Sequence, residues 1–92
     1  MPDSHKVLFE NAFVRVIESR VRAGGSEVRH WHPHNVTVAL SDWDADVITF
    51  PGGKTTHFYR TAGTTAWNEA GTHEVHISRG AASHQIRIEL KY

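Results

Sequence analysis

The chain has no cysteine, so it has neither disulfides nor thiolate ligands, and histidine, aspartate and glutamate are its strong metal ligands. It has no excess of one charge. Ten basic residues balance ten acidic ones, which gives no support for a nucleic-acid partner or for a polybasic contact with a membrane. No segment approaches the roughly 18 apolar residues of a membrane span. The opening Met1-Pro2-Asp3-Ser4-His5-Lys6 lacks the long apolar run of a secretory signal, and the expectation is a cytoplasmic protein. Walker loops, dinucleotide fingerprints, Gly-x-Ser-x-Gly elbows and the zinc-protease helix motif do not occur. There is no amphipathic helix of useful length, no linker and no short repeat. The 92 residues, 1–92, therefore read as one domain, small enough that burial against a second copy would help.

What the chain does have is short runs of β-branched and aromatic residues between turn signals. Strands are expected over residues 7–9, 12–22, 28–32, 36–40, 45–50, 55–61, 65–67, 73–78 and 84–92, with a bend or bulge near Ile17 and a break at Pro33. Pro51-Gly52-Gly53 is the clearest hairpin turn, because glycine supplies positive φ without steric cost. Turns are also expected at Ala23-Gly24-Gly25-Ser26, Ser41-Asp42-Trp43-Asp44, Ala62-Gly63 and Arg79-Gly80-Ala81. The last strand alternates most cleanly, and the expectation is that Ile86, Ile88, Leu90 and Tyr92 face the core while Gln85, Arg87, Glu89 and Lys91 face water. Many short strands with such turns predict an all-β sandwich or barrel.

Eight of the residues are histidines. On a strand, His30 and His32 aim their imidazoles to one side while Trp31 faces away. A third histidine, His73, follows Gly71-Thr72, and we expect His30, His32 and His73 to converge inside a small barrel and hold one divalent metal. Each should donate its other ring N–H to a partner that fixes its tautomer. Nitrogen ligands suit Zn, Fe(II), Ni, Mn or Cu without choosing among them, and open coordination positions would make the ion reactive. Acid should weaken such binding, since free imidazoles charge below about pH 6.5. His34 and His76 are candidates for a fourth ligand. Pro33 argues against His34, and strand alternation puts His76 on the face opposite His73. Glu69 is a candidate base in a loop, although such a carboxylate is more often simply solvated. His57 could line the barrel, whereas His5 and His84 read as solvated. Trp31, pointing outward, suggests a second subunit that covers it, hence a homodimer.

Gly24 followed by His30-Trp31-His32 resembles the first motif of the small single-domain bacterial cupins of the RmlC-like superfamily. Gly63, Glu69, Gly71 and His73 resemble a shortened second motif. Lys6-Val7-Leu8-Phe9-Glu10-Asn11 and Ile86-Arg87-Ile88-Glu89-Leu90-Lys91 are similar to that family's first and last strands. The resemblance implies a conical double-stranded β-helix, or jelly-roll barrel, with two motif histidines on one strand and a third on a later one. It also implies a small oxygenated metabolite as ligand or substrate, with oxygenase, isomerase, lyase or decarboxylase chemistry. The family's usual glutamate falls at Val36 or Thr37, its second-motif proline is replaced by Glu69, and its terminal asparagine by Ile77. With that glutamate missing and the catalytic residues unknown, a non-catalytic ligand-binding module and a metal-free dimeric scaffold are the alternatives.

Overall fold

Alternation and turn chemistry divide the chain into nine strands. The computed structural model describes residues 5–22, 24–76 and 82–91. The expectations for Met1 to Ser4, Ala23, Ile77, Ser78, the Arg79-Gly80-Ala81 turn and Tyr92 lie outside the described residues. In order the strands are β1 (His5–Glu10), β2 (Val14–Val21), β3 (Ser26–His32), β4 (Asn35–Ala39), β5 (Trp43–Phe50), β6 (Lys54–Arg60), β7 (Thr65–Asn68), β8 (Gly71–His76) and β9 (Ser83–Leu90). Their boundaries lie close to the expected ones. However, β1 begins at His5, and Trp43 and Asp44, expected in a turn, open β5.

The strands form two antiparallel sheets, one ordered β1-β2-β9-β4-β7 and the other β3-β8-β5-β6. Gly52 and Gly53 carry the β5–β6 turn with φ of 105° and 66°, values that an L side chain rarely adopts. Pro33 has no N–H to give a ladder, and β3 ends just before it. The irregularity expected near Ile17 is on its partner: the β1–β2 register shifts between Val7 and Phe9, while β2 pairs with β9 without interruption.

Because directly paired residues share a face, the registers name what each sheet turns inward. Across the five-stranded sheet, Ile17, Arg87 and Thr37 form one inward row, and Arg15, Glu89, Asn35 and Asn68 another. Ile17, Ser19, Asn35, Arg87 and Glu89 are all buried. This corrects the reading of β9: Arg87 and Glu89, expected in water, are 7% and 6% exposed, while Ile86, Ile88 and Leu90 lie on the outer face. The alternation was right and its sense was inverted. A period of two separates two faces but does not say which one a closed sheet encloses. Here the enclosed face is the polar one, because it lines a cavity.

Candidate metal centre

Four imidazoles meet at one end of the interior. His30 and His73 are directly opposite each other on the β3–β8 ladder, and their Nε2 atoms are 3.2 Å apart. His32, two residues along β3, returns to the same side, its ring centroid 4.4 Å from that of His30 and 5.2 Å from that of His73. The fourth is His5, which comes from β1 in the other sheet and pairs with the buried Ser19. Its ring lies 5.6 Å from His30 and 6.2 Å from His32, centroid to centroid. His5, expected to be solvated, is thus a half-buried member of the cluster.

Among the described residues, His5, His30 and His32 form a group that could hold a metal ion, with one ligating nitrogen from each within 4.8 Å of the others. Two nitrogens bound about 2.0–2.1 Å from one ion stand roughly 3.0–3.4 Å apart, so the 3.2 Å between His30 and His73 also fits shared ligation.

His32 carries the most informative chemistry. It is 6% exposed, and its Nδ1 is hydrogen-bonded to Glu89 Oε2. Burial, helped by the Arg87 guanidinium and the imidazoles of His30, His73 and His5, pushes the His32 pKa down to about 2. Burial also raises the Glu89 carboxyl above its ordinary value, against the pull of Arg15, Arg87, His5 and His30. Both shifts oppose an imidazolium–carboxylate pair, so His32 is neutral, and with the Glu89 carboxyl ionised its Nδ1–H donates to Glu89. The lone pair is then on Nε2, which is buried and has no hydrogen-bond partner among the described residues. A buried acceptor without a donor is costly unless a cation takes it.

The other candidates are elsewhere. His34 stacks on Trp67 at 5.7 Å, and its Nδ1 lies 3.1 Å from the Ala70 amide and 3.0 Å from Glu69 Oε2. Glu69 is three-quarters exposed, and its other oxygen accepts from Trp67 Nε1 at 3.0 Å. His76 is on the outer face, as alternation predicts, 3.2 Å from Glu74. His57 is also outside, between Asp44 and Asp46, and does not line the barrel. His84 is half-buried on the outer face and hydrogen-bonded to Glu18 at 2.8 Å, so it is not simply solvated. Trp31 faces out and is 61% exposed. Sequence reasoning missed His5 and Glu89. Both carried a signal: His5 shares strand parity with Val7, and Glu89 belongs to the cleanest alternation in the chain.

Beside the cluster is a cavity of about 500 Å³, lined in part by His32 and His73. Asn35, Thr37 and Arg87 supply polar wall, and Trp43, Val47 and Phe58 supply apolar wall. That volume is within the range of small-molecule pockets.

No family model matches the chain. No curated protein matches it either. Solved structures do. A cupin domain from Bordetella pertussis Tohama I superposes with a TM-score of 0.85 at 26% identity, over 96% of this chain and 92% of that one. A protein with a double-stranded β-helix domain from Klebsiella pneumoniae superposes with a TM-score of 0.74 at 19% identity, over 94% and 74% of the two chains. An RmlC-like cupin family protein from Methanocaldococcus jannaschii gives a TM-score of 0.73 at 6% identity, over 94% and 77%. Two antiparallel sheets closed around a histidine-lined interior, superposing on these neighbours over nearly the whole length, make this chain a member of the cupin, or RmlC-like double-stranded β-helix, superfamily.

Proposed function

We propose that this protein is a metal-binding cupin that holds one divalent ion with His5, His30, His32 and His73 and acts on a small oxygenated metabolite in the adjoining cavity. The observation that carries the reading is the buried Nε2 of His32, without a hydrogen-bond partner among the described residues while Nδ1 is held by Glu89. Glu89 does for His32 what outer carboxylates do for ligating histidines: it fixes the tautomer and the ring orientation and makes the free nitrogen more basic. An all-nitrogen donor set suits Zn, Fe(II), Ni, Mn or Cu. When bound, such an ion supplies a Lewis acid that polarises a carbonyl or carboxylate oxygen. The chain's own contribution is to orient the ligand against the apolar wall and to keep bulk water from the polar end.

Elemental analysis of protein purified without added metal tests this reading. One ion per chain is expected, lost in His32→Ala and His30→Ala variants that retain the β-sheet circular dichroism of the parent. Metal-free wild-type protein that takes up none of the five candidate ions on titration would overturn it, as would full retention of metal by His32→Ala.

A further inference from the structure

The two sheets give the cavity opposite walls. Among its lining residues the five-stranded sheet supplies Thr37, Asn68, Ser83 and Gln85, all neutral and polar, whereas the four-stranded sheet supplies Trp43, Val47, Phe58 and Val75. The charged groups of the lining are engaged within the protein. Arg87, 7% exposed, has a partner of its own. Arg60 donates to the Tyr59 carbonyl at 3.2 Å, and its guanidinium lies 4.8 Å from the centre of the Phe58 ring. Glu69 accepts from Trp67 Nε1 at 3.0 Å and lies 3.0 Å from His34 Nδ1. His32 and His73 belong to the imidazole cluster. Unmet hydrogen-bonding capacity in the lining therefore falls to neutral groups.

That capacity has both signs. Asn68 Nδ2 donates to Asn35 Oδ1 at 3.0 Å and to Thr37 Oγ1 at 3.3 Å, while Asn68 Oδ1 has no hydrogen-bond partner among the described residues. Thr37 Oγ1, having accepted that bond, keeps its O–H to give. Gln85 is half-buried, and its side-chain amide has no hydrogen bond among the described residues, which leaves it a donor and an acceptor. A carboxylate or an ether can only accept, so it would satisfy Thr37 and leave Asn68 Oδ1 unmet. An ammonium can only donate and would leave the Thr37 hydroxyl unmet. A ligand hydroxyl does both, and each polar group left dry and unpaired on binding costs affinity. Trp43 and Phe58 on the facing sheet suit a flat apolar body.

We infer that the cavity recognises a neutral hydroxylated ring, whose apolar body packs on the four-stranded sheet while its hydroxyl is read by Gln85, Thr37 and Asn68. This rests on the cavity being the ligand site of the function proposed above, but it does not need the ion. Isothermal titration of the full-length chain, as purified and again after chelation, tests it with three ligands of one shape. These are 4-ethylphenol, 4-ethylanisole, in which a methyl group caps the hydroxyl, and 4-ethylbenzoate, in which a charged carboxylate replaces it. The phenol should bind in both preparations, at least about threefold more tightly than the ether or the carboxylate.

Gln85→Met keeps the side-chain length and removes no hydrogen bond from the fold, so the thermal midpoint of the ligand-free protein should not fall. Its affinity for 4-ethylphenol should drop about three- to tenfold, the range of one neutral hydrogen bond. Thr37→Val, which loses the hydroxyl at nearly constant volume, should act in the same direction. The wild-type comparison of the three ligands decides the matter even if a variant fails to fold. No saturable phenol binding below a Kd of about 1 mM would overturn the inference, and so would an ether or a carboxylate that binds as tightly as the phenol. Unchanged phenol affinity in both variants would also overturn it. Binding lost only on chelation would give the hydroxyl to the ion and overturn its recognition by the wall. A failed metal analysis with phenol binding intact would overturn the metal reading alone.

Discussion

Glu89 and His32 belong to different sheets and are 57 residues apart, yet the carboxylate of one holds Nδ1 of the other inside the barrel. The cupin motif glutamate has no counterpart at Val36 or Thr37, both half-buried β4 residues that offer no strong ligand. Glu89 is not a replacement ligand. In the proposed site it would stand behind a ligand and act on the ion through the His32 imidazole.

Replacing Glu89 by Gln keeps the shape and an acceptor but removes the charge behind His32. Metal affinity should fall by about 10–100-fold, the usual cost of an outer partner of a ligating histidine. Competition with a chromogenic chelator measures it. Unchanged affinity would mean that Glu89 serves only to satisfy a buried N–H.

Much of this was legible in the sequence. Glycine and proline punctuation marked the turns, and Trp31 is outward as the His30/His32 parity requires. The approach of His73 to His30 follows from the β3–β8 register, which no local pattern specifies, but the motif spacing pointed to it. Two things were hidden. The sense of β9 depends on which face the closed sheet encloses, and the assumption that apolar means inward fails where the interior is a polar cavity. His5 reads as solvated from the sequence, where it lies in the polar start before the strand expected over 7–9. Its position depends on a long-range pairing with Ser19 on β2.

The four imidazoles differ in what their loss should do. His5→Ala removes a half-buried ring at the strand entrance and should lower metal affinity at least about tenfold while leaving the thermal midpoint of the metal-free protein within a few degrees, as for other changes away from the packed core. His76→Ala, on the outer face beside Glu74, should leave metal content unchanged. Paired metal analyses of the two variants provide the check, and a loss of metal in His76→Ala would count against the cluster at the inner face.

Inversion of the five-stranded sheet makes a stability prediction. Ile17 is 4% exposed among the inward residues, and Ile17→Ala should cost about 2–5 kcal/mol, a typical core truncation. In a domain of this size that lowers the thermal midpoint by roughly 10–30 °C. Ile86→Thr on the outer face should cost much less than Ile17→Ala. Thermal melts of the two variants provide the check: equal shifts would count against an inward Ile17 and an outward Ile86.

The depressed pKa of His32 fixes the sign of an acid effect in protein freed of metal. An unfolded histidine titrates near 6.5, whereas folded His32 resists protonation down to about 2. Between those limits the unfolded chain binds the extra proton, so stability rises with pH across the window. His32 therefore contributes its full share above about pH 6.5 and loses it progressively below. Chemical denaturation at a series of pH values should show the midpoint falling from pH 7 to pH 5, with a shallower fall in His32→Gln, whose amide does not titrate. Raised Glu89 acts in the other direction, since a carboxyl with a raised folded pKa favours the folded state as it takes up its proton. The decline from pH 7 to pH 5 should thus be driven by His32, with Glu89 offsetting part of it. A midpoint that stays level over that interval would show that the buried imidazole takes up its proton without leaving the fold.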